Sequence, residues 1–547
     1  MERIGLIVLL LLPLLCACVP TNGQWKASDF CHFVTRPDLT PPKWNLTVYD
    51  KSALSPGYWF VAPKQASRVT LGSGEGWPGP VIYDNAGDVV WSGTAQLDST
   101  DVNDFRLSNV GGQLVPTLYD RNRRLGLIFD DRYRIRQILE VVKKGVGEGV
   151  NAHEFKFVEN GTKVLVIMDR RQRATERDKQ AIGFDGDACW VEYNKLVELD
   201  VETAGVTFQF DPRGRIGLEE SSVYHAGRNI TNYCRAGWDF MHANSIDKSN
   251  YDGHYFFNAR HTNTVYKISK DDGSIIWRLG GKQSDFDMGN VHFSRQHDIR
   301  FRGQNATHTI VSLMDNALGE DEAPPTHDFS RGLLIALNTV NMTASLVAHY
   351  DHPDRLLAQR RGNMQILDNG HVFLGWSEHA YLSEHAADGT VLLKARLVPD
   401  RIGSYRAYKF PFVGRPLTRP EVVASTSLLE NRTVVHVSWN GDTQVRCWRL
   451  YKTARDGAEA QAVLQIHRRG FETRLEWSGL TDYVRVAGVD KHGESVGWSD
   501  VVKTIDHPSL LPPPRAQQMS PDDSFSQGAW PGPPRYFDNQ AILGLRG

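Results

Sequence analysis

Three histidines carry the chemical signal of this sequence. His153 opens "HEFKFVENGTKVLV", His242 opens "HANSIDKSNYDGHYFF" and His297 opens "HDIRFRGQNATHTI". Each begins the same local pattern, an apolar alternation interrupted by Gly or Asn and then resumed. Asn244 follows two positions after His242, and Arg260 eighteen positions after it. Arginine offers a planar fork of donors that matches a tetrahedral oxyanion. A neutral imidazole is a nucleophile or a base near neutral pH, and an amide adds hydrogen bonds. These residue types together suit holding an –OSO3 or –OPO3 group and attacking it. Strand-rich proteins also use buried histidines and aspartates to tie strands together, and that reading competes for any one of the three. Three at one phase, with an arginine nearby, favour the chemical reading.

The elements that must position them are β-hairpins. The strand–turn–strand signal recurs at "NDFRLSNVGGQLV" from Asn103 and "GNMQILDNGHVFL" from Gly362. Partner hairpins are "VIYDNAGDVVW" from Val81, "LVELDVETAGVTF" from Leu196, "VYKISKDDGSIIW" from Val265, "LIALNTVNMTASLV" from Leu334 and "AYLSEHAADGTVLL" from Ala380; "LIFDDRYRIRQIL" from Leu127 is a degenerate copy. Two hairpins make a four-stranded unit. Roughly six such units fit between residues 50 and 400, stretched by insertions near 170–190 and 211–238, and that repeat predicts an all-β, six-bladed β-propeller. The innermost strand of each blade faces one channel. His153, His242 and His297 therefore converge there, with Asn103 and Gly362–Asn363 at the same phase in the flanking blades. Arg260, on the strand pairing with that of His242, is expected beside His242 and Asn244. Strand alternation turns Glu154 and Asp298 to the opposite face, as structural or orienting groups. His254, His261, His379 and His385 fall near turns and read as solvated, with His261 able to line the mouth.

The chain has 547 residues, too many for one core, and a net charge of −2. No basic face suggests nucleic acid as a partner. Residues 1–23 read as a signal peptide, with Arg3, an apolar run from Ile4 to Leu15, and the small-residue exit Cys16-Ala17-Cys18. Acylation of Cys18 is the rival reading. No later apolar run is long enough for stable membrane insertion, so the expectation is a secreted, extracellular glycoprotein. Sequons at Asn45, Asn160, Asn229, Asn305, Asn341 and Asn431 agree with that route. Cys31, Cys189, Cys234 and Cys447 allow three disulfide connectivities. Cys189–Cys234 is preferred because both lie in insertions flanking the same part of the chain.

The propeller is placed at 24–416. Residues 417–505 differ: "VVHVSWNG", "VRCWRLYKT" and "TDYVRVAGVDKHGESVGWSDVV" are short alternating strands with Trp439, Trp448 and Tyr483. They resemble a fibronectin type III β-sandwich, a module that could contact protein or glycan. Residues 506–547 hold eight prolines and little apolar periodicity, and are expected to be a disordered tail.

At the histidine-bearing stretches the sequence resembles the arylsulfotransferase-like family, in its secreted fungal branch. "SPGYWFVAPK", "GPVIYDNAGDVVWSG", "DFMHANSI" with "NARHTNTVYKI", "IIWRLGGKQSDF", "SRQHDIRF", "RGNMQILDNGHVFLGWSEH" and "SYRAYKFPFVGRP" carry the resemblance across most of 30–416. It implies a six-bladed propeller that moves a sulfuryl group from a phenolic sulfate to a phenol through a sulfated histidine, with no cofactor. "QHD" then makes His297 the nucleophile. "HAN" and its downstream arginine make His242, Asn244 and Arg260 the sulfate clamp, and "AHEF" makes His153 the proton donor to the leaving phenolate. Asn363 is placed with substrate binding. Trp277 and Trp376 are candidates for stacking on small aromatic substrates. No metal is expected, although a histidine-rich channel could take one. The rival readings are a propeller repurposed for hydrolysis or metabolite tailoring, and a non-catalytic binding propeller.

Overall fold

The computed structural model describes residues 26–65, 79–97, 101–141, 149–223, 230–319, 323–399 and 402–506. The expected signal peptide, the tail beyond Asp506 and the sequon at Asn229 lie outside these residues. Asn45, Asn160, Asn341 and Asn431 are exposed and Asn305 is half-buried.

Each pair of hairpins folds into one four-stranded antiparallel sheet. Val102–Val110, Gln113–Asp120, Leu125–Phe129 and Ile135–Glu140 lie side by side in chain order. The next three sheets repeat the plan, from Gly149–Val158 to Val206–Phe210, from Ala243–Lys248 to Ile275–Gly280, and from His297–Gln304 to Thr343–Asp351. A fifth runs from Asn363–Ile366 to Val391–Leu397 and gains Trp44–Val48 on its outer edge. The sixth is shared between distant parts of the chain. Ile402–Phe410 pairs with Tyr58–Gln65, which continues into Val81–Tyr83 and Val89–Ser92. The first strands of successive sheets are neighbours, and Ile402–Phe410 touches both Val102–Val110 and Asn363–Ile366, so these strands close a ring. The arrangement is all-β and consistent with a propeller.

Apolar side chains fill the wedges between sheets. Phe60, Trp91, Phe105, Leu118 and Phe129 form one such cluster, and Phe256, Trp277, Phe286, Ile299 and Leu333 another. Burying large aromatic surface of this kind is the main drive for sheet stacking. Trp277 and Trp376 belong to these interiors. Trp277 packs edge-on to Phe256 and Phe286, and Trp376 is fully buried with its indole N–H donated to Ser383 Oγ at 2.8 Å. Neither lines a mouth where a substrate ring could stack.

Four first strands carry a register shift at the phase singled out above. The pairing jumps between Asn103 and Arg106, between Asn151 and Phe155, between Ala243 and Ser245, and between His297 and Arg300. Asp104, His242 and Asp298 take left-handed backbone there, with φ of 51°, 47° and 57°. A bulge re-aims side chains and breaks strict alternation. Glu154 and Asp298 therefore do not simply face away from their histidines; they brace the next strand. Asp104 Oδ2 accepts from Phe155 N at 2.8 Å, Glu154 Oε2 from Ile246 N at 3.1 Å, and Asp298 Oδ2 from Met364 N at 3.0 Å. Ser245 Oγ and Asn363 Oδ1 do the same for Ile299 N and Ala407 N, both at 2.9 Å.

These carboxylates also meet a buried set of arginines. Arg406 reaches Asp104 at 2.5 Å and Glu154 at 3.0 Å, and Arg300 reaches Glu154 at 2.8 Å and Asp298 at 2.6 Å. Burial would raise the Glu154 carboxyl, but Arg300, Arg406 and Arg106 together hold it well below the usual range. Buried charge survives only when paired in this way.

The insertions near 170–190 and 211–238 contain the short helices Glu176–Ala181 and Ile230–Ala236, and the Cys189–Cys234 disulfide joins them. Cys31 and Cys447 are free thiols. Residues from Glu421 onward form two facing sheets. One contains Glu421–Ser427, Arg432–Ser438 and Glu472–Trp477; the other contains Cys447–Lys452, Gln461–His467, Tyr483–Val489 and Ser495–Trp498. Trp448, Val435, Leu450, Leu475 and Val486 lie between them, with Trp439 alongside. This unit docks on the ring of sheets through Tyr133 Oη to Gly441 O at 2.7 Å and the Glu472 carboxylate to Thr35 N at 2.7 Å.

Candidate functional site

The bulges gather the three histidines at one end of the ring. The hairpin beginning at Ala243 sets His242 against Arg260, whose backbone N–H donates to His242 O at 3.0 Å. The His153 and His242 rings lie 4.9 Å apart, edge to face, and the His242 and His261 rings 4.7 Å apart. His261, which is half-buried, is therefore part of the cluster. His385, also read as solvated, is fully buried in its strand. Tyr405, whose ring lies 5.7 Å from His153, is the aromatic residue at this place.

Each imidazole has its Nδ1 held by an oxygen. His242 Nδ1 bonds Asp239 Oδ2, and the other carboxylate oxygen takes the His242 backbone N–H at 3.0 Å. His261 Nδ1 bonds Asp239 O at 2.8 Å. His153 Nδ1 bonds Asn151 Oδ1, while Asn151 Nδ2 is spent on Asp169. His297 Nδ1 lies 2.7 Å from Asn316 Oδ1 and 3.0 Å from Arg295 O. Asn316 Nδ2 donates to Ala358 O and Arg361 O, which fixes its oxygen toward His297. An oxygen acceptor at Nδ1 assigns the proton there and leaves the lone pair on Nε2. His297 Nε2 accepts from Arg361 N at 3.1 Å. Burial keeps His297 well below the usual histidine range, helped by the charge of Arg260. His153 is likewise held far down by burial, then by His242 and His297, and burial takes His261 to about 3. Asp239 is held to about 2: burial would raise it, but His242 and His261 oppose that.

Cations crowd the same end. Arg260 is buried, and its Nη2 donates to Gln359 O at 2.7 Å. Lys64 lies 3.0 Å from Asp101, and burial pulls its ammonium down to about 7 despite that carboxylate. Behind the histidines, burial and the neighbouring Asp169 and Asp239 lift Glu192 to about 7, with Glu192 hydrogen-bonded to Asp169.

The two asparagines play a different part from that expected. Asn244 Nδ2 donates to Gln296 O at 2.8 Å, and its Oδ1 accepts from Asn258 Nδ2 at 2.8 Å. Asn363 exchanges two bonds with the Ala407 backbone, at 2.8 and 2.9 Å. Both are fully buried and committed to neighbouring strands, so neither amide reaches the histidines. Asp239, Arg361, Asn316 and Tyr405 escaped sequence reasoning. Only Asp239, three residues before its histidine, left a local sign. Among the described residues, Asp239, His242 and His261 alone bring three metal-type donors within 4.8 Å of one another. The carboxylate is already bonded to His242, and Arg260 Nη1 stands 3.4 Å from His261 Nε2. The trio is a hydrogen-bonded unit beside a fixed cation, a poor setting for a metal.

No curated protein is significantly similar in sequence to this chain. A protein of unknown function from Bacteroides caccae superposes with a TM-score of 0.35 at 12% identity, covering 65% of this chain and 99% of that one. A streptogramin B lyase gives 0.30 at 10% identity, covering 65% and 98%. Virginiamycin B lyase from Staphylococcus aureus gives 0.26 at 10% identity, covering 81% and 96%. These likenesses are too distant to bear on function. Residues 142–397 match the family described as Arylsulfotransferase (ASST), and that segment holds His153, His242, Arg260, His297 and Arg361.

Proposed function

We propose that this protein transfers a sulfuryl group between phenols. The observation that carries the reading is the cluster of imidazoles, each with its Nδ1 held by an oxygen, set beside Arg260 at one end of the ring. In the first step the Arg361 N–H releases His297 Nε2, and the freed lone pair attacks the sulfur of an aryl sulfate. The sulfur–oxygen bond to the aryl group breaks, and its electron pair leaves on the phenolic oxygen. A proton from the Nε2 of protonated His242 neutralises that oxygen. In the second step neutral His242 takes the proton of an acceptor phenol, whose oxygen attacks the sulfur as the bond to His297 breaks. Arg260 offsets the charge on the sulfuryl oxygens.

His242 is assigned the proton shuttle in preference to His153. A carboxylate at Nδ1 steadies an imidazolium, and His242 has Asp239. His153 has only an amide and is held neutral by burial. His153 then shapes the pocket with Tyr405.

The same proposal takes the ring as a six-bladed propeller of the secreted fungal branch and the C-terminal unit as a fibronectin type III-like module. The protein is then an extracellular glycoprotein acting on small phenolic substrates. Phenol release from a chromogenic aryl sulfate, with and without a second phenol, tests the reading. Acceptor-dependent release that disappears in His297→Ala is expected. Release without an acceptor would mean hydrolysis. Absence of release with any aryl sulfate would leave a binding role.

A further inference from the structure

Arg361 stands where the nucleophilic histidine is held. Its backbone N–H donates to His297 Nε2 at 3.1 Å, and its φ of 64° places it in left-handed backbone immediately before Gly362. Its neighbour Arg360 is paired with Glu378. The Nη1 of Arg361 is buried and has no hydrogen-bond partner among the described residues. Burial and the charges of Arg360 and Arg121 disfavour its protonated form. The buried arginines Arg300 and Arg406 contrast with it, since Arg300 faces two carboxylates and Arg406 three. A buried guanidinium nitrogen without an acceptor carries a cost that a structural role does not repay. Arg260 meets the same short loop, donating to Gln359 O two residues earlier.

We propose that Arg361 is an oxyanion-binding residue, which closes with Arg260 on a tetrahedral anion held against His297. The anion class is a sulfate ester or inorganic sulfate. The inference deepens the sulfuryl-transfer reading of the same site, but its test does not depend on turnover.

The test is calorimetric titration of the full chain with sodium sulfate at low ionic strength. The proteins compared are wild type, Arg361→Gln, Arg361→Lys and Arg419→Gln, the last removing an exposed arginine paired with Asp500 in the C-terminal unit. Wild type and Arg419→Gln should bind alike. Arg361→Gln should bind sulfate about tenfold or more weakly, the worth of one charge-assisted hydrogen bond, and Arg361→Lys should fall between. In sulfate-free buffer Arg361→Gln should melt no lower than wild type, because it removes a charge whose buried Nη1 has no partner among the described residues. Wild-type affinity in Arg361→Gln, no sulfate binding by wild type, or a clear loss of sulfate-free stability in Arg361→Gln would each overturn the proposal. Sulfate binding that needs Arg361, without turnover of any aryl sulfate, would sustain this inference and sink the transfer reading.

Discussion

Asp239 grips His242 with both carboxylate oxygens, one on the backbone N–H at 3.0 Å and the other on the ring Nδ1. The grip is anchored from behind. Trp238, next in the chain, exchanges backbone hydrogen bonds with Trp190 and Glu192, close to the Cys189–Cys234 disulfide. His242 itself has left-handed backbone, with φ of 47°.

Asp239→Asn keeps the shape and removes the charge. Sulfuryl transfer from aryl sulfates whose phenols are poor leaving groups should fall about a hundredfold, the usual worth of a positioned acid. Nitrophenyl sulfates need little protonation and should lose far less. His153→Gln should lower both classes by a similar factor. A series of kcat/KM values across phenols of graded acidity checks this, and an equal loss in all of them for Asp239→Asn would remove His242 from the shuttle role.

Glu154 links Arg300, Arg406 and the backbone N–H of Ile246 at the centre of the ring. Glu154→Gln leaves buried guanidinium charge short of its partner. Breaking one side of a buried ion pair costs about 3–5 kcal/mol, so denaturant unfolding should move to clearly lower concentrations. A midpoint unchanged from wild type would mean that the cluster is not the brace it resembles.

Glu192 sets a pH dependence of stability. Its carboxyl is lifted from 4.5 to about 7 by burial and by Asp169 and Asp239. The folded state then holds a proton that the unfolded chain releases between those values. Stability from this group is present below about 4.5 and is lost as pH rises toward 7. Glu192→Gln should therefore melt higher than wild type at pH 8, and the advantage should vanish at pH 4. Melting curves at the two pH values decide it, and a Glu192→Gln advantage confined to acid pH would reverse the sign argued here.

Much of the site was legible because strand periodicity and turn chemistry are local. The phase shared by His153, His242 and His297 follows from hairpins counted along the chain, and hairpin pairing alone puts Arg260 against His242. Asn363 shares that phase and Asn244 lies two residues beyond it, yet both amides are committed as braces to neighbouring backbone. Glu154 and Asp298 are the structural groups that alternation suggested, and the bulges aim them at the next strand.

The sequence by itself determined the four-stranded repeat, the separate character of the chain beyond residue 417, the Cys189–Cys234 pairing preference and the converging histidines. Only the tertiary structure decided the rest. Ile402–Phe410 finds Tyr58–Gln65 across more than three hundred residues, and no local signal announces such a pairing. That closure brings Tyr405 to His153 and Arg406 to Glu154, and the inter-sheet contacts bring Arg361 to His297. Propensity and periodicity act over a few residues, whereas a ring of sheets converges groups whose separation in sequence carries no information about their distance in space.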